Sequence, residues 1–209
     1  MKKSWRYRLA YLVGWLARVK LRLRIDNPEV LDLLSGKGII VVAHHRHPLD
    51  PFIIGSSIFH QLMVRWFAIH TLLTGEWVEK YGELQGYPKW FSKLLGKFSA
   101  WLIRGCEVVQ VKLPLENHSI ENGQVVRKAA RELKQGQSFG IFPEGRINDG
   151  EPLEFMGGLA LLARLSEASV LLVKIDWQER QIRFVGVVKH PGNRKSDDSF
   201  SQEIREKLS

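Results

Sequence analysis

The sequence is poor in several residue types whose scarcity narrows what it can be. Of its 209 residues, one is cysteine (Cys106) and three are methionine. A single thiol closes no internal disulfide, so the chain must be held by burial, and a reducing setting is expected. No run of about 18 apolar residues occurs, which argues against a membrane-spanning helix. The apolar stretch near the N-terminus is followed by more Arg and Lys where a cleavable signal would show small residues, so secretion is not expected. Internal repeats and low-complexity tracts are also missing. Acidic residues are absent between Met1 and Ile25, which holds eight basic ones: Lys2, Lys3, Arg6, Arg8, Arg18, Lys20, Arg22 and Arg24.

What is present suits one compact domain. Hydrophobic residues make up 44% of the chain and charged ones 25%, enough apolar surface for a sizeable core and too much for disorder. The formal net charge is +9, and with the eight N-terminal cations set apart the remainder is close to neutral. An excess so localised points to a local anionic partner. Trp5–Ala17 reads as an amphipathic helix, with Trp5, Leu9, Leu12, Val13 and Leu16 at three-and-four spacing. Its uninterrupted apolar part, Leu9 to Ala17, would extend only about 14 Å as helix against a hydrocarbon core of about 30 Å. Such a helix can lie in the interface of an anionic membrane surface, or pack on the domain with a solvated basic rim. Nucleic acid is not an expected partner, because the cations are mixed with a helix-spaced apolar stripe and no stacking platform accompanies them.

Further along, Val19–Ile25 alternates apolar and basic residues with period two and predicts a strand. Other expected strands are Gly38–Ala43, Leu62–Ile69, Cys106–Val111, Ser138–Phe142, Val170–Ile175 and Gln181–Val188. Helical patterns start at Pro48 and cover Pro88–Ile103, Ser119–Gln135 and Pro152–Ser166. Alternation of this kind predicts an α/β fold with a largely parallel central sheet flanked by helices, preceded by the N-terminal amphipathic helix. The expected division is a basic interfacial helix over 1–18 and an α/β domain over 19–209. Asn193–Ser201 reads as a mobile polar loop.

Two clusters carry chemistry. His44-His45-Arg46-His47-Pro48-Leu49-Asp50 begins where the Gly38–Ala43 strand ends, the edge at which open α/β sheets place their sites. A turn at Pro48 would bring Asp50 back onto His45, where a carboxylate fixes the imidazole tautomer while the other ring nitrogen takes a proton. The same residues could instead be a structural histidine, or a metal site of His44, His45, His47 and Asp50. Adjacent histidines diverge on extended backbone, and no later His–Cys cluster completes a ligand set, so no metal is expected. The second cluster, Phe142-Pro143-Glu144-Gly145-Arg146, also follows a buried strand.

Together, His45-x-x-x-x-Asp50 and Phe142-Pro143-Glu144-Gly145 resemble the signature of the glycerolipid acyltransferases, which acylate glycerol phosphate and lysophospholipids. The resemblance runs from about Val19 to Val188 and includes Phe155-Met156-Gly157-Gly158, ending at Ala163. It implies acyl transfer from a thioester, acyl-CoA or acyl carrier protein, to the hydroxyl of a lipid acceptor, with no other cofactor. It also implies roles for particular residues: His45 as general base, Asp50 orienting it, and Glu144, Gly145 and Arg146 binding substrate. A peripheral place on the cytoplasmic face of a membrane would follow. Several positions depart from the family's pattern. His44 and His47 stand where Asn and Ser are common, and Val111 stands where an Arg usually holds the acceptor phosphate, with Lys112 and Arg104 the nearest cations. Ile147 follows Arg146, and Ser169 and Leu172 stand where the fourth motif has prolines. An acceptor that depends less on phosphate is therefore expected.

Phe52, Ile53, Phe67 and Phe155 are possible linings of an acyl groove, although each also suits plain core. A non-catalytic lipid- or carrier-binding module of the same fold is the main alternative. A serine esterase is a weaker one, since Gly136-Gln137-Ser138-Phe139-Gly140 matches the nucleophile elbow, with Asp176 and His190 following in hydrolase order. Its context is reversed, however, because a helix precedes Gly136 and a strand follows. Cys106 reads as a buried small residue.

Overall fold

Ile39 to Ala43 are five apolar residues in succession, and a strand made of them has no side suited to water. In the computed structural model all five are sealed from solvent, and β2 (Ile40–Ala43) lies near the middle of the sheet. The structure describes residues 5–34, 38–47, 49–58, 63–69, 86–104, 106, 108–111, 119–144 and 158–208. Its remaining strands are β1 (Arg24–Asp26), β3 (Val64–Ile69), β4 (Val109–Val111), β5 (Ser138–Ile141), β6 (Ser169–Asp176) and β7 (Gln181–Lys189). They form one seven-stranded sheet in the order β1-β7-β6-β2-β5-β3-β4. All neighbours are parallel except β6 and β7, which form an antiparallel hairpin. The α/β class with a largely parallel sheet is thus as the alternating pattern predicts.

Helices cover both faces. The period-two alternation of β2 sends Ile40 and Val42 into one core with Phe139, Val170 and Leu172. On that face lie α4 (Ser119–Lys134), α5 (Gly158–Ser166) and α6 (Asp197–Leu208), contributing Leu133, Ala163 and Ile204 among others. Val41 and Ala43 point the other way, into a core with Ile53, Ile54, Trp66 and Phe184, beside α2 (Asp50–Ile58). Gly136, at φ 92°, ends α4, and the amide of Gln137 returns to the carbonyl of Glu132. A left-handed residue there costs glycine little, so Gly136 caps the helix.

The N-terminal helix α1 (Trp5–Lys20) packs on α2 at backbone distance. A β-carbon on Gly14 would lie 2.0 Å from the carbonyl oxygen of Phe52, and one on Gly55 would lie 2.6 Å from the ring of Tyr11. The hydroxyls of Tyr7 and Tyr11 are 2.6 Å apart, and Tyr7 accepts the Val64 amide at 3.0 Å, tying α1 to the start of β3. Burial, reinforced by Tyr7, raises the Tyr11 phenol above its usual range. The seat of α1 is therefore Tyr7, Ala10, Tyr11 and Gly14, while Trp5, Leu12 and Leu16 of the expected apolar face are exposed and Leu9 and Val13 are half-buried.

Two expectations are corrected. The strand predicted over Val19–Ile25 does not form: α1 continues to Lys20, the chain reverses at Arg22 in the left-handed region (φ 55°), and only Arg24–Asp26 pairs as strand. A left-handed reversal inside the segment breaks any period-two reading of it. The mobile loop expected over Asn193–Ser201 is instead a 3-10 turn, Arg194–Ser196, leading into α6. Asn193 accepts the Ser196 amide at 3.0 Å, and Phe200, Ile204 and Leu208 are buried at helical spacing.

Cys106 follows α3 (Lys89–Arg104), its amide bonded to the carbonyl of Ile103, so it precedes the strand in which it was expected. It is buried with Tyr7, Ala10, Tyr11 and Leu102, and burial pushes its thiol up to about 12. Almost no thiolate exists near neutral pH, so a disulfide reagent should react with the native protein far more slowly than with the urea-unfolded chain. Equal rates in the two states would show that the α1–α3 contact opens freely.

Candidate active site

β2 and β5 are parallel neighbours, with Val42 opposite Ile141. Whatever follows Ala43 and Ile141 must then emerge side by side at the carboxyl edge of the sheet. Sequence puts His44 and His45 after one strand and Phe142, Pro143 and Glu144 after the other, and the two clusters meet. His44 Nδ1 bonds Glu144 Oε1. His45 stacks on Phe142 with ring centroids 4.3 Å apart and planes at 20°.

Asp50 is the first residue of α2 and is fully buried. Its Oδ2 accepts the backbone amides of Arg46 at 2.8 Å and His47 at 2.7 Å, which folds the 44–47 segment back over the start of the helix. The same oxygen faces His45 Nδ1 at 3.4 Å, a long contact for a hydrogen bond. His45 thus directs Nδ1 to a carboxylate. The expected His45–Asp50 pair is present, with Asp50 also serving as the anchor of the loop.

Glu144 is buried as well. Glu144 Oε2 and Asp50 Oδ1 are buried with no hydrogen-bond partner among the described residues. A buried carboxylate oxygen left unmatched is costly, so such atoms favour an incoming donor such as a hydroxyl. Gly145 and Arg146, the other expected substrate-binding residues, lie outside the described residues, as do Lys112 and Phe155. Of the proposed groove linings, Ile53 is fully buried core, while Phe52 and Phe67 are half-buried.

The floor of the site was not visible in the sequence. Phe142 lies between His45 and Trp66, whose ring centroid is 4.8 Å away with planes 13° apart. Trp66 sits directly opposite Gly140 across β3 and β5. A β-carbon on Gly140 would be 2.3 Å from Cε3 of the indole, so the tryptophan lies flat only because position 140 has no side chain. Gly140, Trp66, Phe142 and His45 form one continuous stack.

His44 and His47 also acquire roles that the sequence left open. His44 is the partner of Glu144. His47 Nδ1 accepts the Leu49 amide at 3.1 Å, and its ring packs against Trp177 at 4.9 Å. Burial lowers its pKa, His45 adding to the effect and Asp50 opposing it, and the neutral ring this favours is the form that can accept at Nδ1. The three histidines thus turn to Glu144, to Asp50 and to a backbone amide. Among the described residues no group of three or more His, Cys, Asp or Glu side chains could hold a metal ion.

The residues of the esterase reading are not brought together. Ser138 is buried at the start of β5, where its hydroxyl accepts the Ile39 amide at 3.1 Å. Asp176 and His190 lie at opposite ends of the β6–β7 hairpin. Asp176 accepts the amides of Glu179 and Gln178, which hold its carboxyl below the usual range, and His190 faces Asp197 at 3.1 Å. The strand-to-helix elbow is absent, and that reading is withdrawn.

No family model matches the chain, and no curated protein matches it in sequence. Among solved structures, it matches the crystal structure of the 1-acyl-sn-glycerophosphate (LPA) acyltransferase, PlsC, from Thermotoga maritima, with a TM-score of 0.60 at 20% identity. The match covers 97% of this chain and 76% of that one. In backbone architecture, then, the chain is built as that acyltransferase is.

Proposed function

We propose that the protein is an acyltransferase that moves a fatty acyl group from a thioester, acyl-CoA or acyl carrier protein, to a hydroxyl of a glycerolipid acceptor such as a lysophospholipid. The observation that carries this reading is the meeting of His45 and Asp50 with Glu144 at the ends of two adjacent parallel strands. The shared fold with a glycerophosphate acyltransferase is consistent with it.

In the reaction, Nε2 of His45 takes the proton of the acceptor hydroxyl as its oxygen attacks the thioester carbonyl carbon. The tetrahedral adduct collapses with cleavage of the carbon–sulfur bond, and the leaving sulfur receives the proton from the imidazolium. Asp50, facing Nδ1, stabilises the transient cation. Thiolate is a good leaving group, so no acyl-enzyme is required. Glu144, held on one oxygen by His44, receives the acceptor's polar head on the other, with Gly145 and Arg146 following it in the chain. Val111, in place of an arginine, favours an acceptor recognised less through phosphate.

A lipid acceptor resides in the bilayer, and the outward Trp5, Leu12 and Leu16 of α1, with Arg8 and Lys20 also exposed, suit peripheral attachment to an anionic cytoplasmic surface. Among the described residues no helix is long and apolar enough to cross a membrane. The test is thiol release from acyl-CoA and from acyl carrier protein, with a panel of lyso-acceptors on liposomes. Acceptor-dependent release is expected. Saturable lipid or carrier binding with no release from either donor would replace the reading with that of a non-catalytic binding module.

A further inference from the structure

The helix α3 contains no acidic residue, and its cations Lys89, Lys93, Lys97 and Arg104 run beside an apolar stripe. That stripe, Trp90, Leu94 and Phe98, faces outward: Trp90 is 70% exposed and Leu94 57%. Large aromatic side chains in water, on a helix already anchored by its other face, are a feature that soluble surfaces rarely keep without a partner. The stripe does not stop at the end of α3. Phe98 stacks on Trp101 at 5.8 Å, and Trp101 meets Trp5 of α1 at 5.2 Å. The exposed apolar faces of α1 and α3 are therefore one surface.

At the seam of the two helices lies a cleft of about 310 Å³ lined by Arg6, Lys97, Ala100, Trp101 and Arg104. Among the described residues that line it, three are cations and none is acidic. Arg6 lies over the Trp101 ring at 4.9 Å, which orients its guanidinium at the cleft.

We infer that α3 is the second half of a bilayer-docking surface, and that the Arg6–Lys97–Arg104 cleft takes the phosphate of an anionic phospholipid headgroup. The two requirements of interfacial binding occur together here: tryptophan, leucine and phenylalanine to enter the headgroup and acyl boundary, and cations beside them to meet negative charge. A protein partner would need acidic groups around an apolar patch, whereas a bilayer of anionic lipid supplies both over any area. The inference deepens the membrane part of the reading above and is independent of its chemistry.

The test uses the full chain and sucrose-loaded phosphatidylcholine vesicles with and without phosphatidylglycerol. Wild type should sediment with the anionic vesicles. The triple variant Trp90→Ser/Leu94→Ser/Phe98→Ser, with unchanged circular dichroism and unchanged protection of Cys106, should lose about tenfold or more in partition coefficient. Lys89→Gln/Lys93→Gln, outside the cleft, measures the general effect of charge, about fivefold per cation near the surface. Lys97→Gln/Arg104→Gln removes the same charge and should cost clearly more.

Wild-type binding in a folded triple variant would overturn the docking surface, and equal losses in the two charge pairs would overturn the headgroup cleft. A wild type that ignores vesicles but forms a dimer dispersed by the triple substitution would assign the face to a second copy instead. The assay reads binding alone. A protein that sediments but transfers no acyl group would therefore end the catalytic proposal and leave this one intact.

Discussion

Replacing His45 by Ala is expected to lower acceptor-dependent thiol release by about two to four orders of magnitude, the range usual for a general base. The loss should fall on kcat, with the Michaelis constants of donor and acceptor little changed, because in the proposed reaction the imidazole acts on a proton and does not hold either substrate. His45 is the informative position of the pair. The Asp50 carboxylate also binds the amides of Arg46 and His47, so replacing it would loosen the loop as well as the base. His45, by contrast, meets Phe142 on its face and Asp50 through one ring nitrogen. Circular dichroism of His45→Ala should match wild type. Retention of more than a tenth of the activity would remove His45 from the role of base, whatever the acceptor proves to be.

Gly140→Ala is expected to have the second largest effect, and on two quantities at once. The new methyl would lie 2.3 Å from the indole of Trp66, which is buried and stacked on Phe142. Overpacking of this kind costs about 1 to 3 kcal/mol, readable as a fall in Tm. Because Phe142 carries the face of His45, displacement of the indole should also lower kcat, by about tenfold, and misplacement of a catalytic group is enough to account for that. Adding Trp66→Leu to Gly140→Ala removes the clashing ring. The double variant should then be more stable than additivity predicts, as expected for residues in contact. Strict additivity would show that position 140 acts through something other than the tryptophan.

The parts of this architecture that the sequence disclosed are those governed by neighbours along the chain. Ile39–Ala43 reads as a buried strand, and the residues that follow a parallel strand lie at the edge where sites are built, so His45 and Asp50 could be named in advance from the residues alone, whereas Glu144 was named only through the resemblance of its motif. The stack beneath them could not. Trp66 and Gly140 lie on different strands, and no local pattern marks a glycine whose purpose is to make room for a ring. The same limit applied to α1. Its large apolar residues suggested one face, but the seat is made by two tyrosines, an alanine and a glycine, which score weakly as hydrophobic and pack closely. The strand expected over Val19–Ile25 failed because α1 runs on to Lys20 and the chain then reverses at Arg22, whose left-handed backbone conformation is favoured by no particular feature of its side chain. At α6 the signals were present, with Phe200, Ile204 and Leu208 at helical spacing and Asp197 and Asp198 at the amino end, but the polar residues between them masked the period.

The contact between α1 and α2 has a mechanical consequence. With Gly14 against the backbone of Phe52 and Gly55 under the ring of Tyr11, the two helices touch without a cushion of flexible side chains. Packing this close leaves little room for independent sliding, and α2 begins at Asp50. Any tilt imposed on the outer helix is therefore delivered undamped to the residue that holds the His45 loop. If the proposed docking and catalysis both hold, posture at a surface and alignment of the His45 loop would be coupled, and a methyl at Gly14 would disturb both together.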